Sequence, residues 1–406
     1  MVVRHVLVIL ALIGLAFVLF VIAIYASFFL LISLFTKSKS NYLCAVEGIE
    51  NSSDKLPPVS IIVNAFNESK IIRRKIEDLS KLDYPHEKME VLVIDDNSTD
   101  DTSAIAQKAI AESKLKGSVL KNPSRLGLNE SLNVAFAKAR NDVLCVTDSD
   151  VLLDARALKK AVSVLKSFEN AGGITGRLVP VSSGANTAVL SENSYRSYYD
   201  RAMLSESSFH SAFPGNGPLV VFDKTTVNPL IPTGYGSTDA NIAMNVIKSG
   251  KRFLYVPDAV FYEPVAETFK DQKLQKVRRA KRLLQVMLHN SDVFGNNKYG
   301  KFGTRLFPLK FFLYVVCPLL IFLSAILFSL YVAFAAPFLI QIVFLLGVSC
   351  ALSILAVSRS ARYFVVSFML HQVYLVLGLF SAFRRSGYWK TIERKRNLSK
   401  MNSNNK

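Results

Sequence analysis

From Val6 to Phe35 the chain carries no Asp, Glu, Lys, Arg or His, and that run limits its fold more than any other feature. About 20 apolar residues suffice to cross a bilayer core, so this 30-residue stretch predicts a transmembrane helix. A cleaved secretory signal is the alternative, but its apolar region runs only about 7 to 15 residues before a small-residue cleavage site. A second uncharged stretch, Phe311 to Val357, is too long for one span. Ala335-Ala336-Pro337 divides it, because proline breaks the helical ladder, which gives spans at 311–334 and 338–357. After the basic hinge Ser358-Arg359-Ser360-Ala361-Arg362, Tyr363 to Phe383 forms a third apolar segment in which only His371 ionises near neutral pH.

Composition agrees with a membrane protein that has a polar middle. The chain is 50% hydrophobic with four Cys among 406 residues and a mean hydropathy of +0.28. These values exclude a disordered tail and a disulfide scaffold. Cys44, Cys145, Cys317 and Cys350 and the five His show no zinc spacing, and neither a thiol nucleophile nor a disulfide is indicated.

The net charge of +18 is concentrated near the apolar segments. Lys270 to Lys310 holds eleven Lys and Arg against two Asp, and residues 384–406 hold eight against one Glu. Since Lys and Arg gather on the cytoplasmic side of short loops, the middle segment is expected in the cytoplasm of a multi-pass cell-membrane protein. Three later spans would then put the basic tail outside, against the same rule. Either the last segment is re-entrant or interfacial, or the tail violates the rule. The basic stretch reads as an amphipathic helix on anionic lipid, or as cations, Arg278 foremost, reaching a phosphorylated substrate. The resulting partition is an anchor at 1–36, a linker at 37–57, a polar α/β domain at 58–290, a basic interfacial segment at 291–310, membrane helices at 311–383 and a basic tail at 384–406.

Within the middle segment, β-branched runs at Val59–Val63, Val91–Ile94 and Val143–Thr147 alternate with helix-period stretches near 68–80, 101–113 and 129–139. That alternation predicts a mostly parallel sheet covered on both faces, with ligands at the carboxyl ends of its strands. Those ends carry Asn64-Ala65-Phe66-Asn67-Glu68, Asp95-Asp96-Asn97-Ser98 and Asp148-Ser149-Asp150. Each has a plain reading as a helix cap. It is weakest for Asp148 and Asp150, because paired carboxylates repel unless a cation lies between them. Hard oxygen donors of this kind suit Mg²⁺ or Mn²⁺. A nucleic-acid-binding role would explain the charge but not these acidic strand ends.

These motifs resemble the membrane-bound, inverting family 2 glycosyltransferases of GT-A fold, a group that includes cellulose, chitin and hyaluronan synthases and polyprenyl-linked glycan transferases. Ala65-Phe66-Asn67-Glu68 resembles the family's Ala-Tyr-Asn-Glu turn, and Val93 to Asp100 its Val-Asp-Asp-Gly-Ser-Thr-Asp signature. Val146-Thr147-Asp148-Ser149-Asp150 is similar to its Asp-x-Asp metal motif, and Gly236-Ser237-Thr238-Asp239 to the segment carrying its base. Gln275-Lys276-Val277-Arg278-Arg279 stands where many members have Gln-x-x-Arg-Trp.

The resemblance implies an α/β fold, a nucleotide-sugar-binding, Rossmann-like mixed sheet in a cytoplasmic domain, joined to an α-helical transmembrane region. It implies a UDP- or GDP-sugar donor held by Ala65, Asn67, Glu68, Asp96 and Asp148, with Mg²⁺ or Mn²⁺ on Asp148 and Asp150. It makes Asp239 the general base, the plain alternative being a cap for a helix at 240–249. It places Gly215, Asn216, Thr238, Gln275, Arg278 and Arg279 near acceptor or diphosphate. Membrane lipids and a lipid-linked or growing glycan acceptor are the expected partners, with assembly into oligomers left open.

Four positions depart from the family pattern, the first of them at little expected cost. Asn64 replaces a usual proline, Leu128 stands where a diphosphate-contacting lysine is common with Arg125 as the nearby substitute, and Thr238 replaces a glutamate. Arg279 replaces the tryptophan on which processive synthases set their acceptor sugar, and the chain's one Trp, Trp389, lies past the last span. Transfer of single sugars is therefore favoured over polymer synthesis with export. A receptor or transporter that only binds a nucleotide sugar is the remote alternative, since only Gln341, His371 and Gln372 supply polar groups inside the spans.

Overall fold

The computed structural model describes residues 2–35, 41–46, 56–168, 170–181, 187–227, 230–264 and 269–384. Most of the predicted linker and nearly all of the basic tail, Trp389 included, lie outside them. Eight strands form one sheet in the order β3-β2-β1-β4-β7-β6-β8-β5. They are β1 (Val59–Ala65), β2 (Met89–Asp95), β3 (Lys116–Lys121), β4 (Val143–Asp148), β5 (Leu152–Leu153), β6 (Ala171–Val181), β7 (Val220–Asp223) and β8 (Arg252–Pro264). The β3-β2-β1-β4 half is parallel, while β7 runs antiparallel to both β4 and β6. The sheet is thus more mixed than the three strand runs alone predict. β3 escapes the hydrophobic pattern because Lys116-Gly-Ser-Val-Leu-Lys121 is an exposed edge strand.

Strand alternation sends successive side chains to opposite faces, and two cores result. Val59, Ile61 and Val63 of β1 face a cluster with Ile72 and Ile76 of α2 (Ile72–Leu79), Ile110 of α3 (Thr102–Ser113) and Leu158 and Val162 of α5 (Ala157–Ser167). Ile62, Leu92, Ile94 and Val146 face a second cluster. It holds Leu132 and Phe136 of α4 (Leu128–Lys138), Ile242 and Val246 of α7 (Thr238–Lys248) and, beyond them, Val286, Phe302 and Phe307. At about 1.5–3 kcal/mol per buried large apolar side chain, the two layers lock the sheet between helices and leave its strand ends as the available polar edge.

Among the described residues four helices have the length and composition to cross a membrane: α1 within Val2–Leu34, α9 at Phe302–Phe334, α10 at Phe338–Val357 and Val365–Ala382 within α11 (Arg359–Ala382). The turn between α9 and α10 falls at Ala335-Ala336-Pro337, as the proline requires. α9 begins at Phe302, before the predicted span, and takes in Arg305 and Lys310. Two π-helical turns, Phe302–Leu306 and Phe312–Val316, interrupt it. Pro308 and Pro318 follow these turns, and the widened turns accommodate rings that lack an N–H and clash with the carbonyl four residues back. The basic stretch from Lys270 is not one continuous helix: α8 (Phe269–His289) ends at His289, and short 3₁₀ turns lead to α9.

The apolar helices dock on the sheet domain through specific contacts. Glu206 of α6 (Thr187–Phe209) and Lys310 of α9 form a buried ion pair, and the second Glu206 oxygen accepts from the Phe213 amide at 3.0 Å. Gln372 of α11 donates to the Tyr25 hydroxyl of α1 at 3.1 Å. A Cβ on Gly378 would stand 2.8 Å from that of Ala280, so only glycine lets α11 lie this close to α8.

Removing one member of a buried ion pair costs about 3–5 kcal/mol because it strands the other charge. Lys310→Met should therefore lower thermal stability by roughly that amount. The Glu206→Gln/Lys310→Met double variant should recover much of the loss in a melting experiment in detergent.

Candidate active site

The sheet assembles the candidate residues along one edge. β1 pairs in register with β2 and β4, placing Ala65 beside Asp95 and Asn64 beside Asp148. The loop after β1 is then sewn to the loop after β2. The Asn67 amide donates to Ser98 Oγ at 2.9 Å, the Thr99 amide to Asn67 Oδ1 at 2.9 Å, and the Glu68 amide to Thr102 Oγ1 at 2.8 Å. Asn67 takes φ 54°, a conformation asparagine tolerates better than most residues.

Asp96 organises a third loop. Its Oδ1 accepts from the Leu126 amide (2.7 Å), Asn122 Nδ2 (3.0 Å) and Ser131 Oγ (3.0 Å), and its Oδ2 from the Gly127 amide (2.9 Å). Asp96 is buried, and Oδ2, with one of these partners, retains acceptor capacity. Arg125 from this loop lies 3.7 Å above the Phe66 ring, a cation–π contact that brings its charge to the β1 end.

Asp148 and Asp150 flank buried Ser149 in the turn after β4, and both are partly exposed. Among the described residues no group of three or more His, Cys, Asp or Glu forms a metal cluster. Two hard carboxylates fit an ion such as Mg²⁺ or Mn²⁺ whose remaining ligands come from phosphate and water. Behind the turn lies a residue that the motifs did not reveal. Lys75 of α2 is fully buried and donates to Thr147 Oγ1 (2.9 Å) and the Val151 carbonyl (2.8 Å). Burial pulls its pKa down, while Asp78, Asp148 and Asp150 act to raise it.

The remaining candidates meet on the other side of the same edge. β4 and β7 run antiparallel with Val146 opposite Val220, so the turn after β4 lies next to the loop before β7. That loop contains Pro214-Gly215-Asn216-Gly217. Asn216 does not project freely: its amide donates to Thr175 Oγ1 (2.7 Å) and its Nδ2 to the Gly176 carbonyl (2.8 Å), fixing the loop to β6. Gly215 packs against the Phe253 ring, and a Cβ on Gly217 would stand 3.7 Å from Cγ of Asp239.

Asp239 occupies the first turn of α7, whose N-cap is Ser237, so Asp239 is not the capping residue. The helix N-terminus favours its ionised form. Burial nevertheless raises its pKa, opposed by hydrogen bonds from Ser237 and nearby backbone and by the Arg279 charge. Thr238 donates to Asn129 Oδ1 (2.7 Å), and Asn129 Nδ2 donates to the Pro232 (2.8 Å) and Tyr235 (3.0 Å) carbonyls, tying α7 and its approach loop to α4. Gly236, at φ +71°, has no room for a Cβ beside Val286 and Asn241.

Helix α8 closes this side. Gln275 and Arg278 are partly buried on it. Arg279 pairs with Glu263 of β8 at 2.9 Å, so the position of the family tryptophan carries an ion pair. Arg282, one turn further on and absent from the sequence candidates, is pushed down to about 10 by burial and held up by Asp239. Gln285 accepts from the Gly236 amide at 3.0 Å and donates to the carbonyls of Ala382 (3.0 Å) and Arg384 (3.2 Å). One side chain thus links the loop before Asp239 to the end of α11.

Comparison with known proteins agrees with this architecture. Residues 60–218 match the family described as Glycosyl transferase family 2, and residues 143–383 match Glycosyl transferase family group 2. The probable glycosyltransferase YdaM of Bacillus subtilis is 33% identical over 125 residues, 30% of each chain. An N-acetylglucosaminyltransferase of Rhizobium meliloti is 25% identical over 250 residues, 58% of each chain. The poly-beta-1,6-N-acetyl-D-glucosamine synthase of Staphylococcus aureus is 25% identical over 261 residues, 63% of this chain and 60% of that protein. The chain spans less than two thirds of the length of each of these relatives. Among solved structures, the mannosyltransferase PcManGT from Pyrobaculum calidifontis, in complex with GDP-Man and Mn²⁺, superposes with a TM-score of 0.68 at 21% identity. That superposition covers 90% of this chain and 99% of the other. The strand order, the edge that gathers the motifs and the family matches together make this chain a family 2 glycosyltransferase of GT-A fold.

Proposed function

We propose that the protein is an integral membrane enzyme that moves a sugar, with inversion, from a nucleoside-diphosphate donor to a membrane-associated acceptor, either lipid-linked or a growing glycan. The observation that carries this reading is the β4–β7 pairing, which sets the Asp148–Asp150 turn beside the loop that backs Asp239. A cation site for the diphosphate and a single half-buried carboxylate thereby share one edge.

In this reading Ala65, Asn67, Glu68 and Asp96 receive the nucleoside, and Arg125 supplies positive charge near the phosphates. Asp148 and Asp150 would hold Mg²⁺ or Mn²⁺, which when bound offsets charge on the departing diphosphate. That leaving group needs no proton. Asp239 takes the proton from the acceptor hydroxyl as it attacks the face of the anomeric carbon opposite the diphosphate, and direct displacement inverts the centre. Arg279 and Arg282 favour the ionised carboxylate and oppose part of the effect of its burial. Gly217 leaves space against Asp239 for the incoming hydroxyl.

The acceptor reaches the site from the membrane side in this proposal. The four apolar helices would anchor the enzyme as a multi-pass protein with its catalytic domain in the cytoplasm, and α8 and Gln285 join the base loop to α11. Polymer synthesis is the second reading, favoured by the similarity to a poly-N-acetylglucosamine synthase. The Arg279–Glu263 pair at the tryptophan position supports single transfer instead, and long products on a gel would overturn that preference.

Three tests follow from the geometry, using purified protein in detergent with a panel of nucleotide sugars. Asp239→Asn should abolish transfer, measured as released nucleoside diphosphate, while donor binding persists. Because folding raises the Asp239 pKa, the folded state binds that proton more tightly than the unfolded chain. Its ionised form therefore costs stability above the folded pKa, a cost relieved as pH falls through it. The Asn variant should accordingly melt no lower than the native protein at neutral pH. The same shift puts the acid limb of the kcat/KM profile above the ordinary Asp value of 3.8. Full activity in Asp239→Asn would refute the base assignment. Asp150→Ala should remove the metal-dependent part of donor binding in a calorimetric titration. Gln285→Leu should lower turnover by about 10- to 100-fold, the loss expected when a reacting group is misplaced by about 1 Å, with donor affinity little changed.

A further inference from the structure

We infer that Lys75 is a positioning residue that holds the Asp148–Asp150 turn in shape for its divalent ion, an inference that rests on the reading of that turn as the metal site. α2 grips the turn on both sides. The Lys75 ammonium donates to Thr147 Oγ1 at 2.9 Å, one residue before Asp148, and to the Val151 carbonyl at 2.8 Å, one residue after Asp150. Three residues along the same helix, Asp78 accepts from the Leu153 amide at 3.0 Å and lies 3.8 Å from the Lys75 ammonium. The three-residue turn is therefore spanned at its base by one side chain and secured just beyond by a second.

The chemistry of the turn calls for such a support. Two carboxylates two residues apart repel each other when no ion lies between them, and in a partly buried site that repulsion is poorly screened. An unsupported turn would splay, and metal binding would have to gather it again. The Lys75 side chain is fully buried in the sheet-covering layer, where a lysine is costly unless its protons are used. Two of its protons go to the two ends of the turn, and its charge lies 3.8 Å from Asp78 and within electrostatic reach of Asp148 and Asp150. The ammonium thereby fixes the backbone between Thr147 and Val151 and offsets part of the repulsion, while its position behind the turn leaves the carboxylates open to the ion. Lys75 touches neither donor nor ion in this arrangement, so its influence passes through the turn.

The test is a Mn²⁺ titration of the full-length protein in detergent micelles with fixed UDP or GDP, following free Mn²⁺ by electron paramagnetic resonance. Thermal melting is measured in parallel. Loss of a group that orients metal ligands commonly weakens metal binding by about 10- to 100-fold, and Lys75→Met is expected to raise the half-saturating Mn²⁺ concentration by that factor. Because Lys75→Met strands the Asp78 charge and threatens folding, the Lys75→Met/Asp78→Asn variant is measured beside it. There the Asn side-chain oxygen still accepts from Leu153 and no buried charge is left over. The expected result is a double variant that melts near the native temperature yet still binds Mn²⁺ weakly, a separation that a purely structural role would not produce. Native Mn²⁺ affinity in the folded double variant overturns the positioning role while leaving the metal site intact. If Mn²⁺ uptake is the same in the native protein and in Asp150→Ala, the metal reading of the turn fails, and the role of Lys75 fails with it.

Discussion

A sheet buried on both faces can offer polar side chains only where its strands end, and this constraint organises the catalytic domain. Val59, Ile61 and Val63 fill one core while Ile62, Leu92 and Val146 fill the other. Asn67, Asp96 and Asp148 are then forced to the same rim. The parallel register of β1 with β2 and β4 sets their spacing, and the antiparallel entry of β7 brings the Asp239 side of the domain to that rim. The rim is a product of packing before it is a product of chemistry.

Carboxylates concentrated on such a rim repel one another, and the domain handles each one differently. Asp96 accepts from four hydrogen-bond donors and thereby orders the 122–127 loop. Asp148 and Asp150 stay partly exposed above the buried Lys75. Asp239 sits at a helix N-terminus with Arg279 and Arg282 nearby, yet burial dominates and its pKa rises. A carboxylate so placed is a stronger base than an exposed one, which suits the proton transfer proposed for it. The excess of basic residues in the whole chain conceals this arrangement, because most of the net positive charge lies near the apolar helices.

The membrane-type helices are part of the catalytic domain's packing and not only its tether. Phe302 and Phe307 at the start of α9 complete the second core, Glu206 reaches Lys310, and Gln285 joins Gly236 to the end of α11. A change at α11 can therefore reach the loop before Asp239 through a single amide side chain.

Much of this was legible in the sequence because it rests on local patterns. The β-branched runs marked β1, β2 and β4, uncharged stretches marked the long apolar helices, Pro337 marked their turn, and short motifs marked the rim. The exposed edge strand β3 was not legible, because it lacks a buried face. Neither were Lys75, Arg282 and Gln285. A lysine among helix-forming residues reads as a solvated side chain, and only the packing of α2 under the β4 turn buries it. Gln285 bonds to partners 49 and 97 residues away, a separation no local pattern encodes. The sequence by itself determined which segments are apolar, which strands can pair and which residue types crowd the strand ends, since these follow from periodicity and side-chain chemistry. Tertiary structure alone decided which charges are buried, which partners they meet and which side of the rim each carboxylate occupies. Those outcomes depend on contacts between residues far apart in the chain.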